Sequence, residues 1–285
     1  MDAQYYRFQL GDFECVALCD GSMDYTLESF VTNAPKEQVE AVLKAANLPV
    51  DHITTPYTYL YVNTGKQRVL VDMGAGKHLP STGRLLQSMQ MAGIRPGEID
   101  DVFITHAHPD HIGGALDEAG HLVFANAHYF IWKSEWDFWF SEAALEKPGG
   151  LFTQFARTSL LPMSGQVTCV ESEDELLPGV RMLAAPGHTP GHAVVTFTSG
   201  GRQLFYTGDT VLYPFHLEHT EWLPVFDILP ELADPSKRRI FDMLAETNSL
   251  MVGQHFPPFP SLGTIHKQGD GWSWEPVEAV ENVRF

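Results

Sequence analysis

Residues 105–114 read THAHPDHIGG and follow the apolar run Val102, Phe103 and Ile104 without a break. His106, His108, Asp110 and His111 therefore fall within six residues, where an apolar strand gives way to a polar, glycine-bearing loop. A continuing strand would send alternate side chains to opposite faces, whereas a tight loop at its end lets all four converge. Neutral imidazoles and a carboxylate suit zinc, and also manganese, iron or cobalt. A turn of this kind constrains the fold more than any bulk property does, because further ligands must reach the same strand end.

Candidates for that role lie downstream. His188 in AAPGHTPGH, Asp209 in LFYTGDT and His255 in LMVGQHF each come at or just after the end of an apolar, strand-like run. If those strands are parallel neighbours, their ends share one rim, and five histidines with two aspartates are enough for two metal ions. The rest of the chain alternates in the same style. RVLVDMGAG reads as a short buried strand, and KEQVEAVLKAANL and TGRLLQSMQMAGI carry apolar residues at helical spacing. AVVTFTSGGRQLFYTGD reads as a hairpin about a Ser-Gly-Gly turn. DPSKRRIFDMLAE reads as a helix with Asp234 as N-cap and Pro235 as its first residue, and SLMVGQHF as the strand after it. This is an α/β pattern with no linker, so a single unit over 1–285 is expected.

Composition narrows the partners. With 36 acidic and 18 basic residues the formal charge is −18, which removes any general attraction to nucleic acid or an anionic membrane. The N-terminus has no basic and apolar leader, and no run of about 18 apolar residues occurs, so a cytoplasmic protein is expected. Cys15, Cys19 and Cys169 lack the second pair a zinc or disulfide framework needs and read as reduced thiols.

On HAHPDH, followed in order by His188, Asp209 and His255 and preceded by Asp72 in VLVDMG, the sequence resembles the metallo-β-lactamase-fold hydrolases. The resemblance implies a four-layer αβ/βα sandwich with the metals in a cleft along one sheet edge. It implies that His106, His108 and His188 hold one metal, that Asp110, His111 and His255 hold the other, and that Asp209 bridges them. Asp72 would orient ligands rather than bind metal. With these positions filled, His192 reads as a structural hydrogen-bonding partner. Two divalent ions, zinc first, outweigh Asp110, Asp209 and one hydroxide by about one positive charge, which favours an oxyanionic transition state. Hydrolysis by metal-bound hydroxide is the natural reaction, with Asp110 orienting the nucleophile and carrying a proton.

Departures from neighbouring branches narrow the reading further. Flavodiiron proteins of this fold have a glutamate where this chain has Ala107, and an RNA-processing relative would need positive surface. ANAHYFIWKSEWDFW, PGHTPGH and GQHFPPFPSLG look most like the group of methyl parathion hydrolase and related lactonases, which implies a homodimer. Short lactonases place a tyrosine three residues after the bridging aspartate; here Leu212 stands there, with Tyr213 next. Leu212, Tyr213, Phe215 and His216 are the candidate pocket lining. The aromatic stretch 130–140 reads either as pocket or interface, or as the core face of a helix capped by Ser134. From His188 to His255 the only cations are Arg202, Lys237, Arg238 and Arg239, none beside a ligand. The expected substrate is therefore a neutral, hydrophobic ester, lactone or phosphotriester. A nuclease, or a β-lactam or thioester hydrolase, is the alternative.

Overall fold

The computed structural model describes Asp2 and residues 4–277, with backbone alone at Pro148, Val283 and Arg284. Residues 1, 3, 278–282 and 285, which the expected single unit includes, lie outside the described residues. Seven strands of the first sheet lie side by side in chain order: β1 (Tyr5–Leu10), β2 (Phe13–Tyr25), β3 (Ile53–Asn63), β4 (Arg68–Val71), β5 (Asp101–Ile104), β6 (His128–Trp132) and β7 (Val167–Val170). Those from β1 to β4 pair antiparallel, and those from β4 to β7 parallel. The second sheet holds β8 (Glu175–Leu177), β9 (Val180–Ala184), β10 (Ala193–Ser199), β11 (Arg202–Tyr206), β12 (Leu250–Val252), β13 (Leu262–Gln268) and β14 (Gly271–Pro276). Only its β11–β12 pair is parallel. A last strand, β15 (Val283–Arg284), pairs with β1 in the first sheet. The α-helices are α1 (Leu27–Phe30), α2 (Lys36–Ala45), α3 (Leu85–Met91), α4 (Pro109–Ile112), α5 (Lys133–Trp139), α6 (Gly150–Leu160), α7 (Phe215–Glu218) and α8 (Pro230–Thr247).

Alternation along the strands creates the layers. In β3, Leu60 and Val62 point into the space between the sheets, where they meet Val195, Phe197 and Tyr206, while Tyr59 and Tyr61 point the other way. Phe103 of β5 joins the inter-sheet core, and Val102 and Ile104 meet Leu85 and Met89 of α3 and Trp139 of α5. That is why this run reads as continuously apolar: both of its faces are covered. Behind the second sheet, Ile240, Phe241 and Leu244 of α8 cover Val194 and Met251. The order helices, sheet, sheet, helices is the expected four-layer sandwich.

The strand ends place the loops. β4 and β5 run parallel, as do β11 and β12, and β9 shares the direction of β11 because both are antiparallel to β10. Asp72, His106, His188, Asp209 and His255 follow the C-terminal ends of these five strands. The five strands are not all neighbours, since they are divided between the two sheets and β10 separates β9 from β11. The hairpin between β10 and β11 turns on Gly200 and Gly201, at φ of 57° and 75°, the left-handed pair that a two-residue turn needs.

Two expected helix caps are corrected. α8 starts at Pro230, five residues before the expected start, with Leu229 as N-cap and Pro235 inside the helix. Pro230 fits the first helical position as well as Pro235 does, and Asp234 instead pairs with Arg238 one turn on, at 3.0 Å. At α5 the N-cap is Trp132, and the exposed Ser134 hydroxyl reaches Pro190 O at 3.3 Å. No helix among the described residues is long and apolar enough to cross a membrane.

Candidate metal centre

The ligand turn owes its shape to glycine and to Asp72. After α4 the chain passes so close to the loop following β4 that a Cβ at Gly114 would lie 2.1 Å from Met73 O. Backbone bonds from Met73 N–H to His111 O (2.7 Å) and from Gly114 N–H to Gly74 O (2.9 Å) stitch the two segments together. Asp72 itself sits at φ 60°, a left-handed conformation that L residues hold only when their surroundings impose it. Its carboxylate accepts from Thr105 N–H and the Thr105 hydroxyl, both at 2.8 Å, and from His111 Nδ1–H at 2.7 Å. That last bond turns His111 Nε2 inward, toward Asp110 and Asp209.

Seven side chains converge in two groups that share one residue. His106, His108, His188 and Asp209 form the first; Asp110, His111, Asp209 and His255 form the second, and in each group the ligand atoms lie within 4.8 Å of one another. Asp209 divides its oxygens between them. Oδ2 lies 3.2 Å from His188 Nε2 and 3.9 Å from His106 Nε2, and Oδ1 lies 3.3 Å from both His111 Nε2 and His255 Nε2. Asp110 Oδ2 stands 3.4 Å from His111 Nε2 and 3.5 Å from His255 Nε2. His192 lies beside the cluster, its Nε2 accepting Asp209 N–H at 2.9 Å.

The donor set fits divalent metal. His106 Nε2, His111 Nε2 and Asp209 Oδ1 are buried with no hydrogen-bond partner, a costly state unless a cation takes them up. Burial, with neighbouring imidazoles added, pushes His106 well down, and burial with His188 pushes His108 to about 3, so both present neutral nitrogens. Burial also opposes charge on His188 and His255, but the Asp209 carboxylate and its neighbours outweigh it and lift both to about 9. The site thus draws positive charge onto its own imidazoles, which is the charge divalent ions would supply.

A cavity of about 560 Å³ opens onto the cluster, reaching His108, Asp110, His188, Asp209 and His255. Its walls are mainly apolar: Met23, Tyr25, Phe30, Leu79, Phe152, Leu212, Val225, Phe226 and Ile228. Of the four expected lining residues only Leu212 is there. Tyr213, Phe215 and His216 turn away into an aromatic cluster with Phe30 and Trp222, and His216 Nε2 bonds Phe30 O at 3.0 Å. Packing three bulky rings against α1 and the neighbouring loop buries more apolar area than lining an open cleft would. The stretch 130–140 does not line the cavity either; Trp139 is fully buried beneath it, 5.9 Å from the His108 ring. Among the described residues one lysine lines it, Lys147, which lies outside the stretch from His188 to His255; its Nζ donates to Ile228 O at 2.6 Å.

Asp227 was not legible in the sequence. It accepts from His188 Nδ1–H at 3.0 Å, which turns Nε2 toward Asp209. The one local hint is a lone acid in the apolar run VFDILP.

Comparison with known proteins agrees with this geometry. The profile of the Metallo-beta-lactamase superfamily matches residues 54–275. The N-acyl homoserine lactonase AiiA of Bacillus thuringiensis subsp. kurstaki is 25% identical over 233 residues, covering 74% of this chain and 83% of that protein. Among solved structures, AidC, a dizinc quorum-quenching lactonase in complex with a product, is 28% identical at a TM-score of 0.88, over 98% of this chain and 99% of that one. The hydrolase AbOPH shares the fold at a TM-score of 0.90 and 24% identity, over 99% and 100% of the two chains. A profile match across most of the chain, on a four-layer sandwich with this His/Asp cluster at its strand ends, establishes that the chain belongs to the metallo-beta-lactamase superfamily.

Proposed function

We propose that this protein hydrolyses neutral, apolar lactones with the help of two divalent metal ions, zinc in the first instance. The observation that carries the reading is the division of Asp209: one carboxylate oxygen faces each group of imidazoles, at the floor of a cavity with apolar walls. His106, His108 and His188 would hold one ion, Asp110, His111 and His255 the other, and Asp209 would join both. Bound there, the ions would supply a water of lowered pKa and Lewis-acid polarisation of the scissile carbonyl.

The chain's own groups do the rest. Asp72 and Asp227 fix the rings of His111 and His188 through their Nδ1 atoms, so that each presents Nε2. Asp110, at the cavity floor, would take up the proton released by the attacking water and pass it to the leaving alkoxide. Its backbone is held by the Tyr59 hydroxyl on Asp110 O at 2.5 Å, and its Oδ2 lies 3.4 Å from Gln254 Nε2. Phe30, Phe152, Leu212 and Phe226 would strip water from an apolar acyl or aryl group. Among the described residues no arginine lines the cavity, and its one lysine, Lys147, donates to Ile228 O while Asp227 adds negative charge, so that lining offers no bidentate cradle for a carboxylate or phosphomonoester. The lactonase names of AiiA and AidC support the choice of a lactone over other neutral substrates.

A panel of substrates tests this reading on the zinc-loaded protein. kcat/KM for a neutral N-acyl lactone is expected to exceed that for a penicillin or an anionic phosphodiester by at least about tenfold, a barrier difference of roughly 1.4 kcal/mol. Aryl phosphotriesters and aryl esters belong on the panel as the remaining neutral class. A penicillin or phosphodiester ranking first would overturn the neutral-substrate reading.

A further inference from the structure

Among the described residues, Asp20, Asp72 and Glu135 are fully buried carboxylates outside the seven converging side chains. Glu135, on α5, has four partners, all of them neutral donors. Oε1 accepts from Ala107 N–H at 2.9 Å and Trp139 Nε1–H at 2.7 Å; Oε2 accepts from the Thr189 hydroxyl at 2.6 Å and Gly191 N–H at 3.0 Å. Ala107 stands between His106 and His108, and Thr189 follows His188. A single side chain therefore ties the loop carrying two imidazoles of one group to the loop carrying the third. The approach is tight, since a Cβ at Gly191 would come within 2.0 Å of Glu135 N.

Burying a carboxylate without a cation is costly even when it is fully hydrogen-bonded. A methionine or leucine would fill the space beside Trp139 without that cost, but it could not hold two backbone N–H groups of separate loops. Glu135 does not line the cavity and so acts only through the loops it joins. We propose that Glu135 is a positioning residue: it sets the spacing of His106 and His108 from His188, and so the affinity of the ion those three and Asp209 would hold. This inference rests on the two-metal reading above.

The test is titration of the metal-free protein with cobalt(II), followed by visible absorption, which is expected to resolve two binding steps for the wild type. In Glu135→Gln the amide NH₂ faces two donors; the Thr189 hydroxyl can turn to accept, but Gly191 N–H loses its partner. One dissociation constant is expected to rise about 10- to 100-fold while the other stays within about threefold. Thr189→Val removes a single donor and is expected to weaken the same step by less, with Thr189→Ser restoring it; this pair carries the test if Glu135→Gln does not fold. Leu10→Ala, which trims the inter-sheet core where β1 meets the β10–β11 hairpin, at the opposite strand ends from both loops, is expected to lower the melting temperature and leave both constants unchanged. Wild-type constants in both Glu135→Gln and Thr189→Val, or equal weakening of both steps, would overturn the positioning role. A wild type that takes up only one cobalt ion would overturn the two-metal reading itself, before any variant is compared.

Discussion

Asp209 is the residue on which the centre turns, because its two oxygens serve different partners. Asparagine keeps its size but replaces one oxygen with a donor and removes the shared charge, so the ions would repel each other more strongly and one would bind weakly. Asp209→Asn is expected to purify with fewer than two metals and to lose on the order of 10²-fold or more in kcat. Wild-type turnover with two tightly held ions would contradict this. Tyr213 makes the opposite case. Its ring packs against Phe30 and Phe215 rather than lining the cavity, so Tyr213→Phe should change kcat/KM by less than about twofold, where a phenol acting as general acid would cost about 10² or more. The convergence of the seven side chains was legible because imidazoles and carboxylates at strand ends are unusual chemistry in an apolar setting. Glu135 and Asp227 were not, since an acid among aromatic or aliphatic neighbours carries no local sign of which distant loop its oxygens meet.

At the scale of elements, periodicity identified β4, β5, β10, β11 and β12 because burial on one or both faces writes itself into the residue pattern. Helix starts were less legible: Pro230 and Pro235 both offer a first position, and only the packing of α8 on the second sheet separates them. One acid ties two elements together through buried backbone. Asp20, at the register shift in β2, accepts from Ala75 N–H at 3.0 Å and Leu85 N–H at 2.6 Å, so it joins the loop after β4 to the start of α3. Burial pushes its carboxyl up to about 6, against the pull of those N–H groups. A carboxyl whose pKa is higher in the folded state stabilises the fold at low pH and loses that contribution as pH rises through the folded value. In chelator-treated protein, the urea unfolding free energy of wild type minus that of Asp20→Asn is therefore expected to fall by up to about 3 kcal/mol between pH 4 and pH 7. A difference that is flat or rises with pH would contradict the assignment.

The whole molecule uses its layers to separate stability from chemistry. Three apolar clusters, one between the sheets and one behind each, hold the sandwich, and the strand ends they support carry the polar cluster at one rim. The residue pattern announced an α/β chain and the four-layer order was implied by the family resemblance that the ligand order carries, whereas the cavity could not be anticipated. Its walls come from β2, α1, α6 and the loops near 79, 212 and 226, segments far apart in sequence whose meeting depends on how the helices close over the sheets. Lys147 illustrates this, since it lies well before His188 in the chain and reaches the cavity in space.

The proposed reaction needs two metal ions acting together on a neutral lactone. The most direct test is titration of the metal-free protein with zinc while hydrolysis of an N-acyl lactone is followed. Activity is predicted to rise until two equivalents per chain are bound and then to level off; full activity at one equivalent, or no lactone hydrolysis at two, would contradict it.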